Sequence, residues 1–200
     1  MRIGVAGYMG SGKTSCVHTF DSPDTFVIDA DAQAKMLMQS DIQLQFSLKS
    51  AFGESVLDSN GLNFSELGCR AFQSLDTLVE LNKIVHKPLV KHLEHFVLDN
   101  GKPLCILDAA LIPLWRVESW FDLCVWVEAP FEIRLKRLLR KRSGMREDEL
   151  RRRMRLQEDV MAVPREKQWI RLPDSQCRQY ILDHIEIKTP DFKNRGNRKC

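Results

Sequence analysis

The chain lacks most of the features that would settle its class at a glance. It has no run of 18 apolar residues, so no membrane-spanning helix and no membrane partner are expected. Its N-terminus carries one arginine and then enters an apolar run, which does not resemble a secretory leader. The six cysteines (Cys16, Cys69, Cys105, Cys124, Cys177, Cys200) form no C-x-x-C pair and give zinc no ligand spacing. Buried free thiols in a reducing, cytoplasmic setting are therefore expected. No internal repeat or low-complexity stretch is present. Net charge is only +3, but its distribution is uneven, with eleven Lys and Arg residues between Arg134 and Arg155. That run implies an anionic partner. It lacks the aromatic interleaving of a stacking surface, so nucleic acid is not expected to be that partner.

Residues Gly7 to Thr14 read Gly-Tyr-Met-Gly-Ser-Gly-Lys-Thr and fill the template G-x-x-x-x-G-K-[ST] at every fixed position. The chemistry explains the residue types. Glycines let backbone N–H groups turn inward around phosphate oxygens. Lys13 adds a charge that reaches the β- and γ-phosphates, and the Thr14 hydroxyl ligates Mg²⁺. The positive end of the following helix adds to the field. Context agrees: Arg2-Ile3-Gly4-Val5-Ala6 suits a buried parallel strand, and Ser15 to Phe20 can open a helix.

Three more apolar runs read as strands of the same sheet: Thr25 to Asp29, Pro103 to Asp108 and Leu123 to Glu128. His184-Ile185-Glu186-Ile187 is a weaker fifth. Between the second and third strands the spacing predicts helices. Leu67, Ala71, Phe72, Leu75, Leu78 and Val79 share a face, with Ser65 as N-cap. Leu81, Ile84 and Val85 continue the stripe until Pro88 interrupts it. The basic segment from Phe131 to Val160 is broken by Ser143-Gly144, which predicts two helices and a tip.

Carboxylates stand at the predicted strand ends. Asp29-Ala30-Asp31 ends the second strand, and Asp108, like a Walker-B aspartate, ends the third. In open α/β folds such positions cluster beside the phosphate loop. A carboxylate there can accept the proton of an attacking hydroxyl or hold Mg²⁺, or it can merely cap the next helix. The arginine run is open to three readings: a solvated face, a lid closing on transferred phosphate, or a nucleic-acid stripe. The five histidines make no pattern of their own.

The P-loop followed by Val27-Ile28-Asp29-Ala30-Asp31 resembles the dephospho-coenzyme A kinase family. Phe52-Gly53, Leu81-Asn82-Lys83-Ile84-Val85-His86, and Arg142 with Gly144, Glu147 and Arg153 to Gln157 resemble its further motifs, in order, over roughly residues 1 to 160. The resemblance implies a P-loop NTPase fold, α/β, with a parallel sheet flanked by helices. It implies a single domain over residues 1–200: a core (about 1–54, 101–130 and the C-terminal part), a helical substrate lobe (about 55–100) and an arginine-rich lid (about 131–157). It implies transfer of the ATP γ-phosphate to the ribose 3′-hydroxyl of dephospho-CoA, with Mg²⁺. Gly10, Ser11, Gly12, Lys13, Thr14 and Ser15 would bind ATP. Asp31 would be the base, Lys13 and Arg142 would stabilise charge, and Asp29, Asp31, His86 and Asp108 would meet the substrate.

The chain departs from the family in three places. After Asp108, Ala110 replaces a proline and Leu114 a glutamate. The interval from Arg137 to Arg142 is one residue longer than the family's, so Lys141 competes for the lid role. The last motif, sought over Asp183 to Pro190, lacks its asparagine and glycine, and the final helix is expected to be missing. Another small-molecule kinase and a nucleotide-binding regulator without turnover are the alternatives.

Overall fold

The computed structural model describes residues 1–20, 22–59, 61–141 and 144–188, with residues 187 and 188 as backbone only. Arg142 and Ser143 of the expected lid, Cys200 and the basic tail from Lys193 to Lys199 lie outside the described residues. The chain opens with β1 (Arg2–Ala6), α1 (Lys13–Val17), β2 (Thr25–Asp29), α2 (Ala30–Ser40) and α3 (Ile42–Phe52). A short hairpin, β3 (Leu57–Asp58) and β4 (Gly61–Leu62), leads into α4 (Phe64–Ala71) and α5 (Leu75–Asp99). Then follow β5 (Leu104–Asp108), α6 (Ile112–Trp115), β6 (Leu123–Glu128), α7 (Phe131–Lys141), α8 (Glu147–Val160), β7 (Trp169–Pro173) and α9 (Asp174–Lys188).

The main sheet has the order β2-β5-β1-β6-β7 and every pairing is parallel. Its inner strands are buried on both faces, which is why they read as unbroken apolar runs. Along β5, Leu104 and Ile106 pack on the α1 and α9 side, while Cys105 and Leu107 pack on the α2 and α5 side. Successive side chains thus feed two separate cores.

Four expectations need correction. The fifth strand is Trp169–Pro173, and His184 to Ile187 lies in α9. Cys177, Ile181 and Ile185 recur every four residues and are all buried, a helical face that four residues of alternating sequence concealed. The final helix is therefore present. Pro88 does not end its helix, and α5 runs through it for 25 residues. Burial of Val85, Leu89, Leu93 and Val97 along one face outweighs the lost hydrogen bond. The segment before it is two helices, capped by Asn63 and by a capping box at Ser74 rather than by Ser65.

The cysteine expectation holds only in part. Cys105 and Cys124 are buried and free, and burial raises their thiols to about 11 and about 12, which makes them inert. Cys69 is free and exposed. Cys16 and Cys177 instead form a disulfide that joins α1 to α9, with Cα atoms 6.3 Å apart. Their separation of 161 residues hid the pairing from the sequence. No described helix is long and apolar enough to cross a membrane.

Reduction should lower stability by about 2–4 kcal/mol. Thermal melts with and without a thiol reductant should then differ by roughly 5–15 °C for a chain of this size. Identical melts would contradict the pairing.

Candidate active site

β1 delivers the glycine-rich loop to the carboxyl edge of the sheet, between β5 and β6. Gly10 (φ +78°) and Gly12 (φ +104°) take left-handed backbone. A Cβ at Gly10 would stand 2.7 Å from the carbonyl of Arg134, so the loop also lies too close to α7 for any larger residue. Gly12 opens α1 without a side-chain cap, which leaves the first N–H groups of that helix for a ligand. The adjoining cavity, about 400 Å³, is lined by Gly10 to Ser15, Arg137, Leu138, Arg140, Lys141 and Asp174. Four of those side chains are cationic. A larger share of apolar wall surrounds a second cavity of about 410 Å³ at Tyr8, Trp126 and Pro173.

The P-loop side chains converge on Asp108. Thr14 Oγ1 donates to Asp108 Oδ2 at 2.6 Å, and Lys13 Nζ lies 3.6 Å from Oδ1. Oδ1 itself is buried without a hydrogen-bond partner among the described residues. Burial pushes the Asp108 carboxyl above its ordinary value, Lys13 and Thr14 oppose this, and the nearby Asp29 and Asp31 add to it. Asp29 sits in register with Asp108 across β2 and β5. Its Oδ1 accepts from the N–H groups of Asp31 and Ala32, so its carboxylate caps α2. Asp31, in the first turn of α2, is exposed, and no hydrogen bond among the described residues engages its carboxylate. A threonine hydroxyl, an orphaned buried carboxylate oxygen and two further carboxylates nearby form a hard-oxygen donor set that fits Mg²⁺. No group of three or more His, Cys, Asp or Glu among the described residues forms a metal site alone. That suits an ion which takes most of its ligands from phosphate and water.

The remaining expected residues are placed as follows. Ser11 and Ser15 line the cavity with the rest of the loop. His86 stands apart from the P-loop, in α5, edge-to-face with Trp115 of α6 at 5.8 Å. Its Nε2 and the Trp115 Nε1 are both buried without partners among the described residues. Burial lowers the His86 imidazole to about 4, so it is neutral near pH 7. Lys141 faces the cavity, whereas Arg142 is outside the described residues.

Sequence reasoning assigned no role to several contributors. Arg137 Nη1 donates to the carbonyls of Gly10 (3.3 Å) and Ser11 (3.0 Å), and Nη2 pairs with Asp174 at the start of α9 (2.6 Å). Arg134 is buried, holds Glu158 and the Ala129 carbonyl, and lies over the Tyr8 and Phe131 rings. Gln157 Oε1 accepts from Met9 N–H at 2.7 Å. His92, dismissed with the other histidines, bonds Gln33 at 3.0 Å and ties α5 to α2. Helical phase along α7 separates Arg134 and Arg137 from the solvated Lys136, but a dense charge run masks that phase.

A parallel sheet, a glycine-rich phosphate loop, and Lys, Thr and Asp meeting at its mouth define a P-loop kinase. The family model for dephospho-CoA kinase matches residues 1–170. The chain belongs to the dephospho-CoA kinase family. It is 31% identical over 156 residues to the Corynebacterium diphtheriae dephospho-CoA kinase, covering 76% of this chain and 78% of that one. Among solved structures it shares its fold with a Thermus thermophilus protein (TM-score 0.65, 24% identity, 94% and 97% of the two chains). It shares it also with the dephospho-CoA kinase from Campylobacter jejuni (TM-score 0.59, 21% identity, 96% and 98%).

Two predictions rest on the titrating groups. Asp108→Asn keeps an acceptor for Thr14 and removes a desolvated charge. It should abolish turnover yet raise the melting temperature. An unchanged or lower melting temperature would contradict the desolvation argument. For His86, the unfolded chain binds the proton from 6.5 and the folded chain only near 4. Between these values the unfolded state holds more protons, so stability present above pH 6.5 is lost as pH falls through that window. Denaturant melts of the wild type and His86→Phe should diverge there, with the variant less sensitive to acid. Parallel curves would contradict a buried neutral His86.

Proposed function

We infer that the protein transfers the γ-phosphoryl group of ATP to the ribose 3′-hydroxyl of dephospho-CoA, giving coenzyme A and ADP. The observation that carries this reading is the meeting of Lys13 and Thr14 at Asp108, with Asp29 and Asp31 at the end of the neighbouring strand. Membership of the dephospho-CoA kinase family supports the choice of acceptor.

Phosphoryl transfer leaves a protein chiefly positioning and charge stabilisation. Gly10 to Ser15 hold the triphosphate, and Lys13 neutralises charge on its terminal groups. Mg²⁺ would be held by Thr14 and Asp108 and would supply further charge neutralisation between the phosphates. Asp31 orients the acceptor hydroxyl and takes its proton, because its carboxylate is exposed and uncommitted while that of Asp29 caps α2. Lys141, with Arg142 beyond it, brings positive charge to the transferred group from the segment 131–157. The helices of residues 55–100, with His86, form the acceptor lobe. The reaction is assigned to the cytoplasm.

ATP consumption should be measured with dephospho-CoA, AMP, shikimate and no acceptor. Turnover with dephospho-CoA alone is expected. Lys13→Ala should remove it with an unchanged circular dichroism spectrum. Asp31→Asn should lower kcat far more than it weakens ATP binding. Removing the lid cation that serves, Lys141 or Arg142, should cost roughly 10³-fold, while Arg155→Ala should cost little. A different preferred acceptor, or equal small effects along the whole arginine run, would contradict the assignment.

A further inference from the structure

The P-loop is held from its outer side by groups that phosphate does not touch. An anion cradle works only if its N–H groups already converge when the anion arrives, so the curvature of the loop must be set beforehand. Its outward groups are committed elsewhere. Met9 N–H donates to Gln157 Oε1 (2.7 Å), the Tyr8 hydroxyl donates to the Met161 carbonyl (2.8 Å), and the Gly10 and Ser11 carbonyls accept from Arg137. Gln157 and Met161 belong to the same end of α8.

That helix is anchored along its length. Arg152 donates to the Gln73 carbonyl at 2.8 Å, Arg153 lies 4.9 Å over the Phe72 ring, and Glu158 pairs with Arg134. Gln157 therefore presents its oxygen from a fixed arm, and little side-chain entropy is lost in making the bond. We propose that Gln157 is a positioning residue that holds the P-loop in its anion-binding curvature by accepting the Met9 N–H. Without that acceptor the loop relaxes to satisfy Met9 elsewhere, and the competent fraction falls. Apparent affinity for phosphate falls by the same fraction. The inference rests on the P-loop-kinase reading, but not on which acceptor is phosphorylated.

Gln157→Met keeps the chain length and removes the oxygen. The probe is inorganic tripolyphosphate, which reports the cradle alone, measured by titration calorimetry below the melting temperature. Binding should weaken on the order of tenfold, the scale of leaving one part-buried N–H unpaired. KM for ATP should rise by a similar factor with kcat at saturation nearly unchanged, and the Met9 amide should exchange faster with solvent. Gln157→Glu retains an acceptor oxygen and should restore Met9 protection. If Gln157→Met does not fold, Gln157→Asn, which retracts the oxygen by one methylene, is measured in the same way. Wild-type affinity for tripolyphosphate in a variant that only melts earlier would overturn the proposal and leave Gln157 a structural residue. Failure of dephospho-CoA as acceptor would overturn the proposed function but leave this measurement intact.

Discussion

Asp108 is a carboxylate at 6% exposure, and the site is arranged around the cost of placing it there. Desolvation alone would neutralise it or drive it out. Two P-loop side chains, Lys13 and Thr14, lie against it and offset that cost. The end of β5 and the start of α1 are thus tied together before any ligand binds. Strand order makes this possible, since β1 pairs with β5 so that Val5 is level with Asp108, and β2 pairs with β5 so that Asp29 is level with it too. Three adjacent strand ends therefore place the phosphate loop, Asp108 and the Asp29-Ala30-Asp31 segment side by side.

The arginine-rich segment does not act as one unit. Arg134 is a core residue beneath the loop, Arg137 fastens the carbonyls of Gly10 and Ser11, and Arg140 with Lys141 forms a cavity wall. Arg151 is occupied by Glu132 and Glu147, and Arg152 and Arg153 reach towards Gln73 and Phe72. A stripe of like charges would keep its neighbours interchangeable. Here Arg134, Arg137, Arg151, Arg152 and Arg153 each have partners of their own, so these charges are not interchangeable.

The parts of this arrangement that local sequence determines were legible. The P-loop, three of the four other strands of the main sheet and the acidic strand ends follow from continuous apolar runs and from glycines with no substitute. What escaped were relations between distant positions. Gln157 lies 148 residues from Met9, and Cys177 lies 161 from Cys16, so no window of sequence contains either pair. His184 to Ile187 reads as a strand because four residues cannot distinguish a period of 2 from one of 3.6 when a buried face runs beyond them. Pro88 misled for the opposite reason: a local rule about helix breaking yielded to the burial of a face 25 residues long. The neutrality of His86 comes from burial against Trp115, which only the tertiary structure reveals.

The central claim is that the group leaving ATP arrives on the ribose 3′-oxygen of dephospho-CoA. ATP carrying ¹⁸O in its γ-phosphoryl group should be incubated with the enzyme and dephospho-CoA, and the products resolved by ³¹P NMR and mass spectrometry. The account predicts the label in a new phosphomonoester on the 3′-oxygen. Label recovered as free inorganic phosphate, or on another position of the acceptor, would contradict it.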